Sequence, residues 1–365
     1  MDAASRLLCR FSRAFALLAC LTFAWAATPQ ARAAADQNQG ISQGQTAPQG
    51  QTVSAIQARG FLRCGTNPIT GYAIPDDSGK WQGFMVDFCR AVAAVVLGDA
   101  SRFEIVPVES QTRFSALRNN DIDLLVDGAT ITLDREADLG VTFPGILLYD
   151  GQAFLTRRST GWKSIKDIKN ASICVADGTT SRRNAEDYLQ RQGLSARLIV
   201  AQSDEGAWTS YLKGRCDLFT NDRFGLMVRA TLHSGAPNDH RILPEVISKE
   251  PLGPAVRSGD PSWTKLIRWT IAVLVSAEEH GLTSTNISDI GPSNDREVQV
   301  LTGQIADHSD VLGVSPGWAR RAIAQVGNYG EIFDRHLGAR SPMKAERGLN
   351  AQWTQGGLMY APPIR

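Results

Sequence analysis

An α/β fold is predicted for most of this 365-residue chain, on three observations. Short β-rich runs at 62–65, 103–108, 122–126, 173–176 and 218–220 alternate with stretches of helical periodicity. Such alternation builds sheets covered by helices, because each apolar helix stripe needs a sheet face to bury it. One helix is explicit: Phe88, Ala91, Val92, Val95 and Val96 recur at i, i+3, i+4, i+7 and i+8, Asp87 is placed to cap it, and Gly98 ends it. The length suits about two domains of roughly 100–200 residues.

Lys and Arg number 38 against 37 Asp and Glu, a net charge of +1, with 43% hydrophobic and 21% charged residues. That balance excludes a disordered or collagen-like chain, and the lack of a basic block argues against a nucleic-acid partner. Past the first few dozen residues no run approaches the roughly 20 apolar residues that span a bilayer.

The N-terminus reads as an address. Arg6, Arg10 and Arg13 precede an apolar stretch at 14–27, followed by small-residue sites such as Ala24-Trp25-Ala26 and Ala31-Arg32-Ala33. This is the layout of a cleaved secretory signal peptide over residues 1–35. A membrane anchor needs a longer apolar span, and lipidation at Cys20 needs a longer apolar core than the six residues after Arg13. Cleavage leaves 34 basic and 36 acidic residues, a net charge of −2. Residues 36–52, rich in Gln, Gly, Ala and Pro, read as a flexible linker. Four cysteines then remain, Cys64, Cys89, Cys174 and Cys216, and an exported chain is expected to join them in two disulfides. Three pairings are open, each bridge contributing about 3 kcal/mol. No C-x-x-C spacing or clustering of the five histidines suggests a metal, and no internal repeat is found.

Three places share one layout: an apolar strand ends and a polar cluster follows, where an open α/β sheet places its ligand crevice. After 122–126 comes Asp127-Gly128-Ala129-Thr130-Ile131-Thr132-Leu133-Asp134-Arg135, where Arg135 suits bidentate grip of a carboxylate. Taken alone, Asp134 and Arg135 equally suit a solvated helix start. After 173–176 comes Asp177-Gly178-Thr179-Thr180-Ser181, opening a helix at 182–192 whose free N–H groups attract an anion, or whose Thr179 or Thr180 merely caps it. After 218–220 comes Asn221-Asp222, a carboxylate suited to an ammonium group or a simple cap. Tyr72, in a turn after 62–65, lines a pocket or covers core. An anion clamp, a cation acceptor and an aromatic wall are together what a zwitterionic amino acid requires. The chain carries no Walker loop, G-x-G-x-x-G or H-E-x-x-H. It reads as a binder rather than an enzyme, with no cofactor.

At these residues the chain resembles the periplasmic solute-binding proteins of amino acid ABC transporters, family 3, general L-amino-acid-binding branch. The resemblance runs from about residue 53 to 365. It is carried by Trp81-Gln82-Gly83-Phe84-Met85-Val86-Asp87-Phe88-Cys89-Arg90, Tyr149-Asp150-Gly151-Gln152 and Gly214-Arg215-Cys216-Asp217. The stretch at 246–256, containing Ser248-Lys249-Glu250-Pro251-Leu252-Gly253-Pro254, and the tail from Gln325-Val326-Gly327-Asn328-Tyr329-Gly330-Glu331 to Gly356-Gly357-Leu358-Met359-Tyr360 are more specific.

The resemblance implies a two-lobe periplasmic binding protein fold of type II, with the ligand cleft between lobes joined by two crossover segments. Lobe 1 is expected at 53–154 and again at 250–365 with a C-terminal extension, lobe 2 at 155–249, and the crossovers near 151–157 and 248–256. Two lobes favour pairing Cys64 with Cys89 and Cys174 with Cys216. By matching position, Arg135 takes the ligand α-carboxylate with Thr130 and, from the other lobe, Thr180. Asp222 takes the α-amino group, Gly128 supplies a backbone contact and Tyr72 covers the side chain. The implied partners are an L-amino acid and the membrane permease subunits of an ABC transporter, the chain itself being a monomer in the periplasm. Two departures narrow the expectation: Met85 stands where an acidic residue is usual, and Gly128-Ala129-Thr130-Ile131 replaces a more polar stretch. A shifted or narrowed side-chain preference is therefore expected. Two rivals share the fold: an enzyme resembling cyclohexadienyl or arogenate dehydratases, with Asp127 or Asp222 as general acid, and a ligand-sensing module.

Overall fold

The computed structural model describes residues 50–365 apart from 69–71 and 77. The expected signal peptide, and the linker up to residue 49, lie outside the described residues. The end of that linker is helical instead: a helix runs Gln51–Arg59. Val53 and Ile56, one turn apart, are fully buried, and the Thr52 N–H donates to Asp260 Oδ2 at 2.9 Å. Burial of that apolar pair draws the helix start back into the polar segment.

Two sheets carry the architecture. The first has strands Phe103–Pro107, Leu62–Thr66 and Leu124–Leu125 in that order, all parallel. The expected strand at 122–126 shortens to two residues, although the Asp123 and Val126 N–H groups still donate to Arg63 and Gly65 carbonyls at 2.9 and 2.8 Å. The second sheet has five strands in the order Ala196–Ala201, Ala171–Ala176, Leu218–Asp222, Gln152–Arg157, His240–Ile242. The first three are parallel, Gln152–Arg157 runs antiparallel to them, and His240–Ile242 runs antiparallel to Gln152–Arg157. The inner strand Ala171–Ala176 is almost wholly apolar and buried, as a strand covered on both faces requires, whereas the edge strand Ala196–Ala201 has no buried residue. Between the sheets, strand Leu148–Asp150 pairs antiparallel with Glu250–Leu252. These are the two crossovers of a two-lobe α/β fold. The outgoing one falls earlier than expected, because Gln152–Arg157 is already a strand of the second sheet. Buried Gln152 fixes it there, its Nε2 donating to the Ser181 carbonyl and to Thr220 Oγ1, both at 2.8 Å.

Helix Phe84–Leu97 has the expected end, Gly98 in the left-handed conformation, but a different start. Gly83 is the cap residue, with φ +139°, and a Cβ there would lie 2.2 Å from the Tyr72 carbonyl. Only glycine permits that approach. Asp87 is therefore inside the helix and buried, held by Arg90 (2.9 Å), Arg335 and His336 (2.7 Å). Twelve of the helix's fourteen residues are buried, since the C-terminal helices Trp318–Val326 and Tyr329–His336 cover what the sheet leaves open. Phe84 meets Tyr329 and Phe333 edge to face at 5.9 and 6.4 Å. Cys64 is joined to Cys89, tying strand to helix, and Cys174 to Cys216 within the second lobe, with Cα separations of 6.4 and 5.6 Å.

Candidate functional site

The polar clusters that follow the strands meet across the gap between the two sheets. They line a narrow cleft that is partly open to solvent. All seven ligand candidates of the sequence analysis line it. The lobes are closed on each other: Gln111 Nε2 donates to Asp177 Oδ2 at 3.2 Å, and Arg183 pairs with Asp134 at 2.9 Å.

Arg135 sits in the short helix Leu133–Asp138, which Thr132 caps by accepting the Arg135 N–H at 3.3 Å. Its guanidinium donates to the Thr130 carbonyl and lies 5.3 Å from the Phe114 ring centre. Burial, then neighbouring Arg113, lowers its pKa to about 10, so it stays a cation at neutral pH. It places a cation on the cleft wall.

Gly128 has φ +74°, and a Cβ there would meet the Tyr72 ring at 3.1 Å. Its absence lets the ring lie against the backbone. Tyr72 is 3% exposed and directs its hydroxyl to Asp150 Oδ2 at 3.5 Å. Burial first, then Asp150, raises its pKa well above the usual phenol value.

The second lobe supplies helix Thr180–Gln192. Thr179 is its cap, accepting the Arg182 N–H at 3.4 Å and donating to the Ala176 carbonyl at 2.8 Å. Thr180 faces Thr130 across the cleft at 3.3 Å. Both threonine hydroxyls donate to Glu250 Oε2, Thr180 at 3.2 Å. The resemblance assigns them to a ligand carboxylate, whereas here a carboxylate of the crossover strand accepts their hydrogen bonds. Asn184 Nδ2 and Ser248 Oγ donate to the other Glu250 oxygen, at 2.7 and 2.5 Å.

Asp222 ends strand Leu218–Asp222 and is 8% exposed. Its Oδ1 has no hydrogen-bond partner among the described residues. Burial first, then Glu250 and Asp150, raises its pKa well above the ordinary carboxylate value. A buried carboxylate in that state is stabilised by a cation.

Further residues join the site without a binding role in the sequence analysis, among them Arg113, Asp127, Asp150 and Glu250. Arg113 and Asp127 form a buried ion pair at 2.7 Å on the cleft wall, and the sequence marks Asp127 only as the acid of a rival enzyme. Asp150 and Glu250 sit on the crossovers. Burial pushes Asp150 up to about 7, against the pull of the Phe224 and Gly151 N–H groups that it accepts at 3.0 and 2.8 Å. Asp150 and Glu250 stand in stretches that carry the resemblance, which is the signal that could have found them. Arg113 stands in Gln111-Thr112-Arg113-Phe114, where no strand end and no glycine marks it. Among the described residues no group of three His, Cys, Asp or Glu is placed to hold a metal ion.

Two α/β lobes, antiparallel crossovers and a closed cleft holding a cation and an unpaired carboxylate define a two-lobe solute-binding protein. The chain belongs to the bacterial extracellular solute-binding proteins, family 3, whose sequence profile matches residues 62–282. It is 42% identical over 329 residues to the general L-amino acid-binding periplasmic protein AapJ of Rhizobium johnstonii, covering 89% of this chain and 96% of the relative. It is 44% identical over 317 residues to the glutamate/glutamine/aspartate/asparagine-binding protein BztA of Rhodobacter capsulatus, covering 86% and 93%. A periplasmic binding protein structure from Brucella ovis with glutathione bound matches with TM-score 0.84 and 42% identity, covering 86% of this chain and 99% of that one.

Proposed function

We propose that this protein is the periplasmic binding component of an amino acid ABC transporter, capturing an L-amino acid between its lobes and delivering it to membrane permease subunits. The observation that carries the reading is the pairing of cationic Arg135 with the unpartnered, buried Asp222 across one cleft. A ligand's α-carboxylate meets Arg135 and its ammonium meets Asp222. Thr130 and Thr180 close the carboxylate end from opposite lobes, Gly128 offers its backbone and Tyr72 covers the side chain. Thr179 serves by capping the helix that presents Thr180.

Because the two charges come from different lobes, a ligand that touches both stabilises the closed form by its differential affinity, and a permease then reads that form. The binding step breaks no covalent bond. The lobes divide near residues 150 and 249, where the strands change sheet, and the monomeric chain is released to the periplasm by cleavage of its signal peptide. Among the described residues no helix is long and apolar enough to cross a membrane.

Thermal unfolding of the ligand-free mature protein against the twenty L-amino acids tests the reading, since a ligand selective for the native state raises the midpoint. At least one amino acid is expected to raise it, and Arg135→Ala to abolish the shift. No shift with any amino acid would overturn the proposal. Glutathione belongs in the same panel, because the Brucella ovis structure holds it and it too carries an ammonium and a carboxylate on one carbon.

A further inference from the structure

Arg113 and Asp127 form a second polar pair on the cleft wall, beside Arg135. Arg113 Nη1 lies 2.7 Å from Asp127 Oδ2, and the residues are 6% and 3% exposed. The pair is incompletely satisfied. Arg113 Nε, a donor, and Asp127 Oδ1, an acceptor, have no partner among the described residues. Buried polar groups in that state are rare and call for a partner.

We infer that this pair reads the ligand's side chain and selects a carboxamide, that of glutamine or asparagine, over the matching carboxylate. The inference rests on the amino acid reading above. A carboxamide presents one acceptor and two donors in a plane, so its C=O accepts from the guanidinium while its NH2 donates to the carboxylate. A side-chain carboxylate has no hydrogen to give Asp127 and meets its charge at close range. Arg113 offsets little of that repulsion, because its own charge is already matched by Asp127. An aliphatic side chain leaves both atoms unpaired. Discrimination against a ligand that leaves buried partners unpaired is typically larger than discrimination by size.

Isothermal titration of the ligand-free mature protein with glutamine, glutamate, asparagine and aspartate provides the test. The better amide is expected to bind at least ~10-fold more tightly than its acid, in line with one charged hydrogen bond gained and one repulsion avoided. Asp127→Asn removes the repulsion and is expected to bring the two within ~3-fold. The ratio is the readout, because damage to the fold weakens amide and acid alike, and the wild-type ratio decides by itself where the variant does not fold. Equal wild-type affinity for amide and acid, or a ratio unchanged by Asp127→Asn, would overturn the inference. Failure of all four to bind while another amino acid binds would overturn it and leave the amino acid reading standing. Failure of every amino acid would overturn both.

Discussion

Buried Glu250 faces half-buried Asp150 as register partner where the two crossover strands pair, so each passage between the lobes carries a carboxylate. Asp150 holds its proton up to about 7, chiefly through burial, against an ordinary value of 3.8. The folded state therefore binds that proton more tightly than the unfolded chain. Its contribution to stability is fully present below about pH 4, is lost as pH rises towards 7, and is constant above. Urea unfolding of wild type and Asp150→Asn across pH 4–8 checks this: the variant is expected to gain on wild type up to about pH 7 and to run parallel beyond.

Asp222 is raised by burial and by the same two carboxylates, so in the ligand-free protein it holds a proton well above the ordinary range. An ammonium placed against it favours the charged form. Binding at neutral pH is thus expected to release a proton, and affinity to rise with pH. Titration calorimetry in buffers of different ionisation enthalpy measures the release directly. Asp222→Asn is expected to weaken binding about 10- to 100-fold and to remove most of the proton release.

The bridges Cys64–Cys89 and Cys174–Cys216 close chain segments of 25 and 42 residues. Loop-closure entropy gives each about 3–4 kcal/mol of stability. Replacing Cys174 and Cys216 together by alanine is expected to lower the unfolding free energy by about that amount, read from denaturant melts.

The family profile ends at residue 282, yet the core does not. Trp318, Tyr329 and Phe333 share one apolar cluster with Phe84 and Phe88, and Phe333 also meets Phe224 of the second lobe at 5.9 Å. A chain stopped after Leu282 leaves the helix Phe84–Leu97 uncovered and is expected to aggregate. Phe333→Ala is expected to cost about 3–5 kcal/mol in urea unfolding.

Local signals were legible in the sequence where one segment carried the whole message. Strand Ala171–Ala176 is a short apolar run followed at once by Asp177 and Gly178, and Gly98 ends a helix with visible period. The cleft positions of Thr180, shortly after a strand, and Asp222, at a strand end, were legible in the same way, while Arg135 lies ten residues past its strand, in the helix Leu133–Asp138. What escaped depends on contacts between distant segments. Asp87 looks like a cap until Arg335 and His336, 248 and 249 positions away, bury it. Arg113 acquires meaning only beside Asp127, and Thr130 only against Glu250. No periodicity or spacing reports a partner that far along the chain.

The central claim is that one amino acid spans Arg135 and Asp222. A crystal structure of the mature protein with its tightest-binding amino acid tests it most directly. The account predicts the α-carboxylate on the Arg135 guanidinium and the ammonium within hydrogen-bond distance of Asp222 Oδ1. A ligand bound elsewhere, or seated in the cleft with neither contact, would contradict it.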